Sequence, residues 1–262
     1  MSLVELGVPQ GFRPAVRATD LVLDWLLSEA HLRNVPLIHG RYRRCASQEG
    51  NALAVSSRLG IGQDPRVRRL AESLVGWQWP DGGWNCDRKE DAHHSSFNES
   101  LSTLWGLVEY YDATGDNRAR ETVKKASELF LRHRIFRSCR TDEGRQPETF
   151  HGRVRRGVQL ITELHYPLYW HYDILQALII LDRAGKLGDS RNNDAIDLVE
   201  SKRLEDGRWR PEGYYWNLKR KTRTKVQVSN VEVVDWGRNG PNEMITLNAL
   251  RVLKSAGRLK EF

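Results

Sequence analysis

Apolar residues recur at helical spacing along most of this chain, while the two-residue alternation of a half-buried strand is weak throughout. Val67, Leu70 and Leu74 mark one helical face, and Ile196 and Val199 mark another. Phe97 to Ala113 carries Leu101, Leu104, Leu107, Val108 and Tyr111, and Asn242 to Ala256 carries Ile245, Leu247, Leu250 and Leu253. Further helices are expected over Leu21 to Leu32, Asn51 to Leu59, Arg118 to Ile135 and Asp173 to Ala184. Gly60, Thr114-Gly115-Asp116, Gly185 and Gly257 close four of these segments as helix stops. The pattern predicts an all-α chain of four helix pairs. Val226 to Val234 is the one strand candidate, and it falls in a loop.

Two segments repeat each other. Val67 to Trp84 and Asn192 to Trp209 are each an amphipathic helix ending in a short turn, Asp81-Gly-Gly-Trp84 in one and Asp206-Gly-Arg-Trp209 in the other. The glycine suits a left-handed turn, the aspartate tolerates it, and a Trp just past it can fold back onto its own helix. Each copy leads into a second helix. The long connections 136–169 and 210–241 both precede second helices, and loops of this length are often functional.

Gln78-x-x-x-Gly82-x-Trp84, preceded by Leu74, resembles the QW repeat of squalene and oxidosqualene cyclases. The later copy keeps Gly207 and Trp209 but has Arg203 in the place of Gln. In that family the motif Gln caps helix ends and lies beneath the Trp. The resemblance, sharp in these two copies, extends over residues 20 to 257 as helix pairs. It implies a single domain, residues 1–262, of the α/α-toroid type shared by terpenoid cyclases and protein prenyltransferases. Outer and inner helices would then alternate around a hollow, with both long loops over its mouth. Four pairs would make a partial ring, or a ring completed by a second copy in a homodimer. The family's acid motif Asp-x-Asp-Asp and its diphosphate-ionising motif Asp-Asp-x-x-Asp are both absent. Nor is the prenyltransferase zinc site kept, since Tyr169 and His171 stand where its Asp and Cys would fall.

Composition narrows the class. Hydrophobic residues at 39% and charged residues at 29% are ordinary for a soluble globular chain, and no apolar run is long enough to span a bilayer. With no signal-peptide pattern near the start, the cytoplasm is the expected compartment. Three cysteines, Cys45, Cys86 and Cys139, are widely spaced and form neither a C-x-x-C pair nor a disulfide framework. The net charge of +7 is concentrated in clusters at 41–44, 132–156 and 219–225. Such clusters suit a phosphate-bearing ligand or an anionic surface, or are simply solvated. Nothing in them resembles a nucleic-acid recognition pattern, so no nucleic-acid partner is expected.

The polar residues that could carry chemistry sit at the starts of second helices. One group is Cys86, Asp87, His93, His94, Ser95, Ser96, Asn98 and Glu99; a second is His165, Tyr166, Tyr169, Trp170, His171, Tyr172 and Asp173; a third is Glu232, Asp235, Trp236, Asn239, Asn242 and Glu243. Cys86, His94 and His171 offer ligands for zinc if the fold gathers them. His171 and Asp173 form a candidate acid–base pair provided His171 precedes the helix, the alternative being that Asp173, Ser95 and Asn242 cap helices. Glu99 and Glu243 lie in equivalent first turns, where a carboxyl either stabilises the helix start or, buried, donates a proton. Trp105, Tyr110, Trp170, Tyr172 and Trp236 are candidate cavity residues whose faces would stabilise a carbocation, the alternative being helix-interface packing.

Three functions are open at this point. One is an enzyme acting on an isoprenoid or other apolar substrate, with or without a diphosphate, by acid–base or carbocation chemistry. The second is a non-catalytic lipid or polyprenyl carrier. The third is a zinc-dependent transferase or hydrolase.

Overall fold

A computed structural model describes residues 1–138, 148–149, 161–168, 171–213, 216–217, 230–231 and 234–259. The chain is mostly helical, with α1 (Ser2–Glu5), α2 (Arg13–Leu26), α3 (Glu29–Leu32), α4 (Ser47–Arg58), α5 (Pro65–Gly76), α6 (Phe97–Thr114), α7 (Asn117–Arg132), α8 (Ile174–Arg183), α9 (Asn193–Ser201) and α10 (Glu243–Ser255). The described strands are two residues each: β1 (Leu37–Ile38) with β2 (Arg41–Tyr42), β3 (Arg137–Ser138) with β4 (Glu148–Thr149), and β5 (Trp216–Asn217) with β6 (Asn230–Val231). β6 lies within the expected strand 226–234, most of which is outside the described residues. No described helix is long and apolar enough to cross a membrane.

Contacts divide the chain into two compact units, Met1–Phe130 and Leu131–Phe262. In the first, α2 packs on α4, and α5 packs on α4 and α6. The closest packing is between α4 and α6, and small residues permit it. A Cβ on Gly106 would lie 2.4 Å from the Gly50 carbonyl oxygen, and one on Gly50 would lie 2.5 Å from that of Ser102. Leu53, Leu70, Leu74, Leu104 and Leu107 fill the core around this contact. In the second unit α8 and α10 pack together, with α9 against both.

Local chemistry sets the helix ends. Asp64, Asp116, Asp173 and Asn242 accept backbone N–H bonds at the starts of α5, α7, α8 and α10. The expected helix over 21–32 is instead two elements, because Ser28 turns extended and caps α3 with a bond from the His31 N–H. α4 begins at Ser47, four residues before the expected start at Asn51.

The repeated turn is built the same way twice. The Trp84 indole N–H donates to the Leu74 carbonyl at 2.9 Å, and that of Trp209 to the Val199 carbonyl at 2.7 Å. Both carbonyls belong to the last turn of their helix, which otherwise leaves acceptors unsatisfied. The Trp84 backbone N–H bonds Ser100 Oγ at 3.0 Å, as that of Trp209 bonds Thr246 Oγ1 at 3.0 Å. The Trp84 carbonyl accepts from the Ser96 N–H, and the Trp209 carbonyl from the Asn242 N–H, each at 2.8 Å. Gln78 closes the first turn onto the Gly82 carbonyl at 2.8 Å; Arg203 closes the second onto that of Gly207 at 3.3 Å and lies over the Trp209 ring. Gly82 and Gly207 hold positive φ angles of 105° and 83°.

Candidate functional site

The most concentrated reactive chemistry in the described residues lies in the first unit, where the chain enters α4 and α6. Arg43 forms a parallel bridge with Asn85, and the Arg44 N–H donates to the Asn85 carbonyl at 3.1 Å. This pairing brings the segment before α4 alongside the segment before α6, and so brings Cys45 to Cys86. Glu99, in the first turn of α6, completes the group: the two sulfurs and a Glu99 oxygen all lie within 4.8 Å of one another. The Cys86 thiol donates to Glu99 Oε1 at 3.1 Å. Ser96 and Cys45 also hydrogen-bond the Glu99 carboxyl, and its Oε2 is shut off from solvent.

Three groups able to carry negative charge share this space, and their proton affinities follow. A hydrogen bond with Cys45, together with burial, pushes the Cys86 thiol far up, while the same bond pulls Cys45 down. Burial raises the Glu99 carboxyl. Beside them Glu49 is fully buried, accepting from Arg44 Nε at 2.6 Å and facing His31 Nε2 at 3.1 Å. Arg43, also buried, donates to the Ala92 carbonyl and lies 4.5 Å from the Trp79 ring centre. These two arginines of the first basic cluster therefore tie the segment before α4 into the unit.

The internal repeat shows what is particular about this group. Since Ser100 answers to Thr246, Glu99 answers to Ile245, a core residue 1% exposed. Cys86, two residues past Trp84, answers to Pro211. The turn and helix pair thus form without a carboxyl or a thiol at these positions.

The remaining candidates are placed as follows. His94 is exposed, its ring 4.0 Å from that of His93, and it is not part of the three-ligand group. Ser95 bonds Asp81 through its N–H and hydroxyl rather than capping α6. Trp105 is buried along α6 with its indole N–H on Glu109 at 3.1 Å. Trp170 lies outside the described residues.

In the second unit, His171 does precede the helix, and the imidazole of His165 lies against Asp173, with Nδ1 3.4 Å from Oδ2. Asp173 is the cap of α8, accepting from the Gln176 N–H at 2.8 Å and the His165 N–H at 3.2 Å. Burial raises its carboxyl to about 7 and lowers both His165 and His171 to about 4. The Tyr172 hydroxyl donates to the Ile135 carbonyl at 2.6 Å. Trp236 meets Tyr166 edge-on at 4.9 Å, Asp235 is exposed and accepts from the Gly237 N–H, and Asn242 caps α10. Glu243 is exposed at the start of α10.

Sequence reading missed Cys45. A signal was present: it sits just before a second helix, as Cys86 sits in the approach to the next one. Comparison of the chain with known protein families, with curated proteins and with solved structures finds no match.

Proposed function

We propose that this protein is an enzyme of the terpenoid cyclase-like type, a short α/α-toroid acting on an isoprenoid or similarly apolar substrate by acid catalysis. The working centre is the group at the entries to α4 and α6. The observation that carries this reading is Glu99: a largely buried carboxyl at a position where the repeat has the core residue Ile245. Burying a carboxyl costs stability, and the fold does not need one there. The twice-built Trp turn, and second helices that pack on one another within each unit, support the kinship with α/α-hairpin repeats.

The test is turnover of isoprenoid probes (squalene, geranylgeraniol and farnesyl diphosphate) followed by mass spectrometry. Wild type is expected to convert at least one of them. Glu99→Gln should bind it with similar affinity and lose about 100-fold or more of the rate, the scale of a removed acid. Binding without conversion by wild type would replace the enzyme with a lipid carrier. Undiminished conversion by Glu99→Gln would remove Glu99 from the chemistry.

A further inference from the structure

We propose that Cys45, Cys86 and Glu99 bind a zinc ion, leaving one coordination position open. This rests on the reading above only in taking the same group as the working centre: with zinc bound, Glu99 is a carboxylate ligand, and the ion in place of the Glu99 proton would supply the acid.

Geometry is the first support. Tetrahedral zinc with sulfur at about 2.3 Å and oxygen at about 2.0–2.2 Å separates its ligand atoms by roughly 3.5–3.8 Å. The two sulfurs and the Glu99 oxygen lie within 4.8 Å of one another, so small side-chain adjustments suffice. Loss of the thiol proton now shared between Cys86 and Glu99 at 3.1 Å would let those two atoms separate by the few tenths of an ångström required. The donor set is the second support. Two thiolates with one carboxylate match borderline-soft zinc, whereas calcium and magnesium call for oxygen alone.

The third support is that both thiols already turn to the one carboxyl, since Cys45 as well as Cys86 hydrogen-bonds Glu99. The fourth is the repeat, which places Pro211 and Ile245 at the positions of Cys86 and Glu99 and so removes two donors where no such group forms. Protein supplies three ligands, which is the count of catalytic rather than structural zinc sites. Cys45 is exposed while Glu99 is largely buried, so the fourth position can be reached from solvent. There the ion would hold a water molecule or polarise a substrate oxygen.

The test uses the full chain. Metal content of the purified protein, and titration of metal-free protein with zinc under reducing conditions, are expected to give one zinc per chain. Cobalt in its place should show thiolate-to-metal charge-transfer absorption. Cys45→Ser, Cys86→Ser and Glu99→Gln should each weaken zinc by more than the roughly 10–100-fold that losing an outer-shell partner costs. Zinc should raise the melting temperature of wild type and not that of Cys45→Ser, a change at an exposed position that leaves the fold intact. Absence of stoichiometric metal together with absence of the cobalt band overturns the proposal. So does zinc binding that is unchanged in Cys45→Ser and Glu99→Gln. Neither result depends on turnover: a chain that converts isoprenoids without zinc keeps the acid reading, and a chain that binds zinc without converting them keeps the metal site.

Discussion

Replacing Gly106 with alanine separates two effects that the sequence alone cannot. By intrinsic propensity the change should help α6, since glycine inside a helix costs about 1 kcal/mol relative to alanine. Packing opposes it. The new Cβ would stand 2.4 Å from the Gly50 carbonyl oxygen, 3.0 Å from its carbon and 3.1 Å from its Cα. All three atoms are backbone of α4, so no side chain can swing away. Restoring an ordinary contact requires α4 and α6 to separate by roughly 1 Å, which loosens the closest interface in the first unit; dispersion contacts weaken steeply over such a gap. Overpacking of this kind costs about 1–3 kcal/mol or more, and here the upper end applies. Subtracting the propensity gain leaves about 2 kcal/mol of net destabilisation, or roughly 4–8 °C in melting temperature for a chain of this size. Gly76 is the control: it also lies in a helix, and a Cβ there meets nothing within 4 Å. Gly76→Ala should therefore be neutral or stabilising by up to about 1 kcal/mol. Thermal melts by circular dichroism read both variants. A Gly106→Ala protein as stable as wild type would refute the close backbone approach.

Three further expectations follow from the same contacts. Trp84→Phe and Trp209→Phe each remove an indole N–H from a carbonyl of the last helical turn, and should each cost about 1–3 kcal/mol in urea unfolding. A neutral result at one site would show that the two turns are not equivalent. In chelator, Glu99→Ile should be at least as stable as wild type, gaining up to about 1–3 kcal/mol by removing a buried carboxyl, while abolishing conversion; a strongly destabilised variant would mean that the carboxyl serves the fold. Asp173 and His165 oppose each other on acidification. His165, held at about 4, contributes stability that is lost as pH falls from 6.5 through 4; Asp173, held at about 7, contributes stability that is lost as pH rises from 3.8 through 7. Asp173→Asn keeps a cap and removes only the second effect. Its stability should therefore fall more steeply than that of wild type between pH 7 and pH 5, and equal slopes would refute the assignment.

Where periodicity runs through a whole element, the chain's own pattern reveals the structure. Leu70 and Leu74 in α5, and Leu101, Leu104 and Leu107 in α6, face the core as their spacing implies. The Trp84 and Trp209 turns were also legible, because glycine and tryptophan at fixed offsets from a helix end have few ways to fold. The substitution of Arg203 for Gln is absorbed because a guanidinium N–H reaches the same carbonyl.

What failed to show was decided by contacts distant in sequence. Cys45 meets Cys86 only because Arg43 bridges Asn85, and nothing near Cys45 announces that pairing. Glu99 and Glu243 are alike as helix-start acids, yet one is largely buried beside two thiols and the other faces solvent. Likewise, nothing in the sequence singles out His165, eight residues before Asp173, as the imidazole whose Nδ1 lies 3.4 Å from its Oδ2.

The most direct measurement is X-ray absorption at the zinc edge on the purified protein. Two sulfur neighbours at about 2.3 Å and lighter neighbours at about 2.0–2.2 Å are the expected shell. A shell of nitrogen and oxygen alone, or the loss of neither sulfur in Cys45→Ser, would contradict a centre built from Cys45, Cys86 and Glu99.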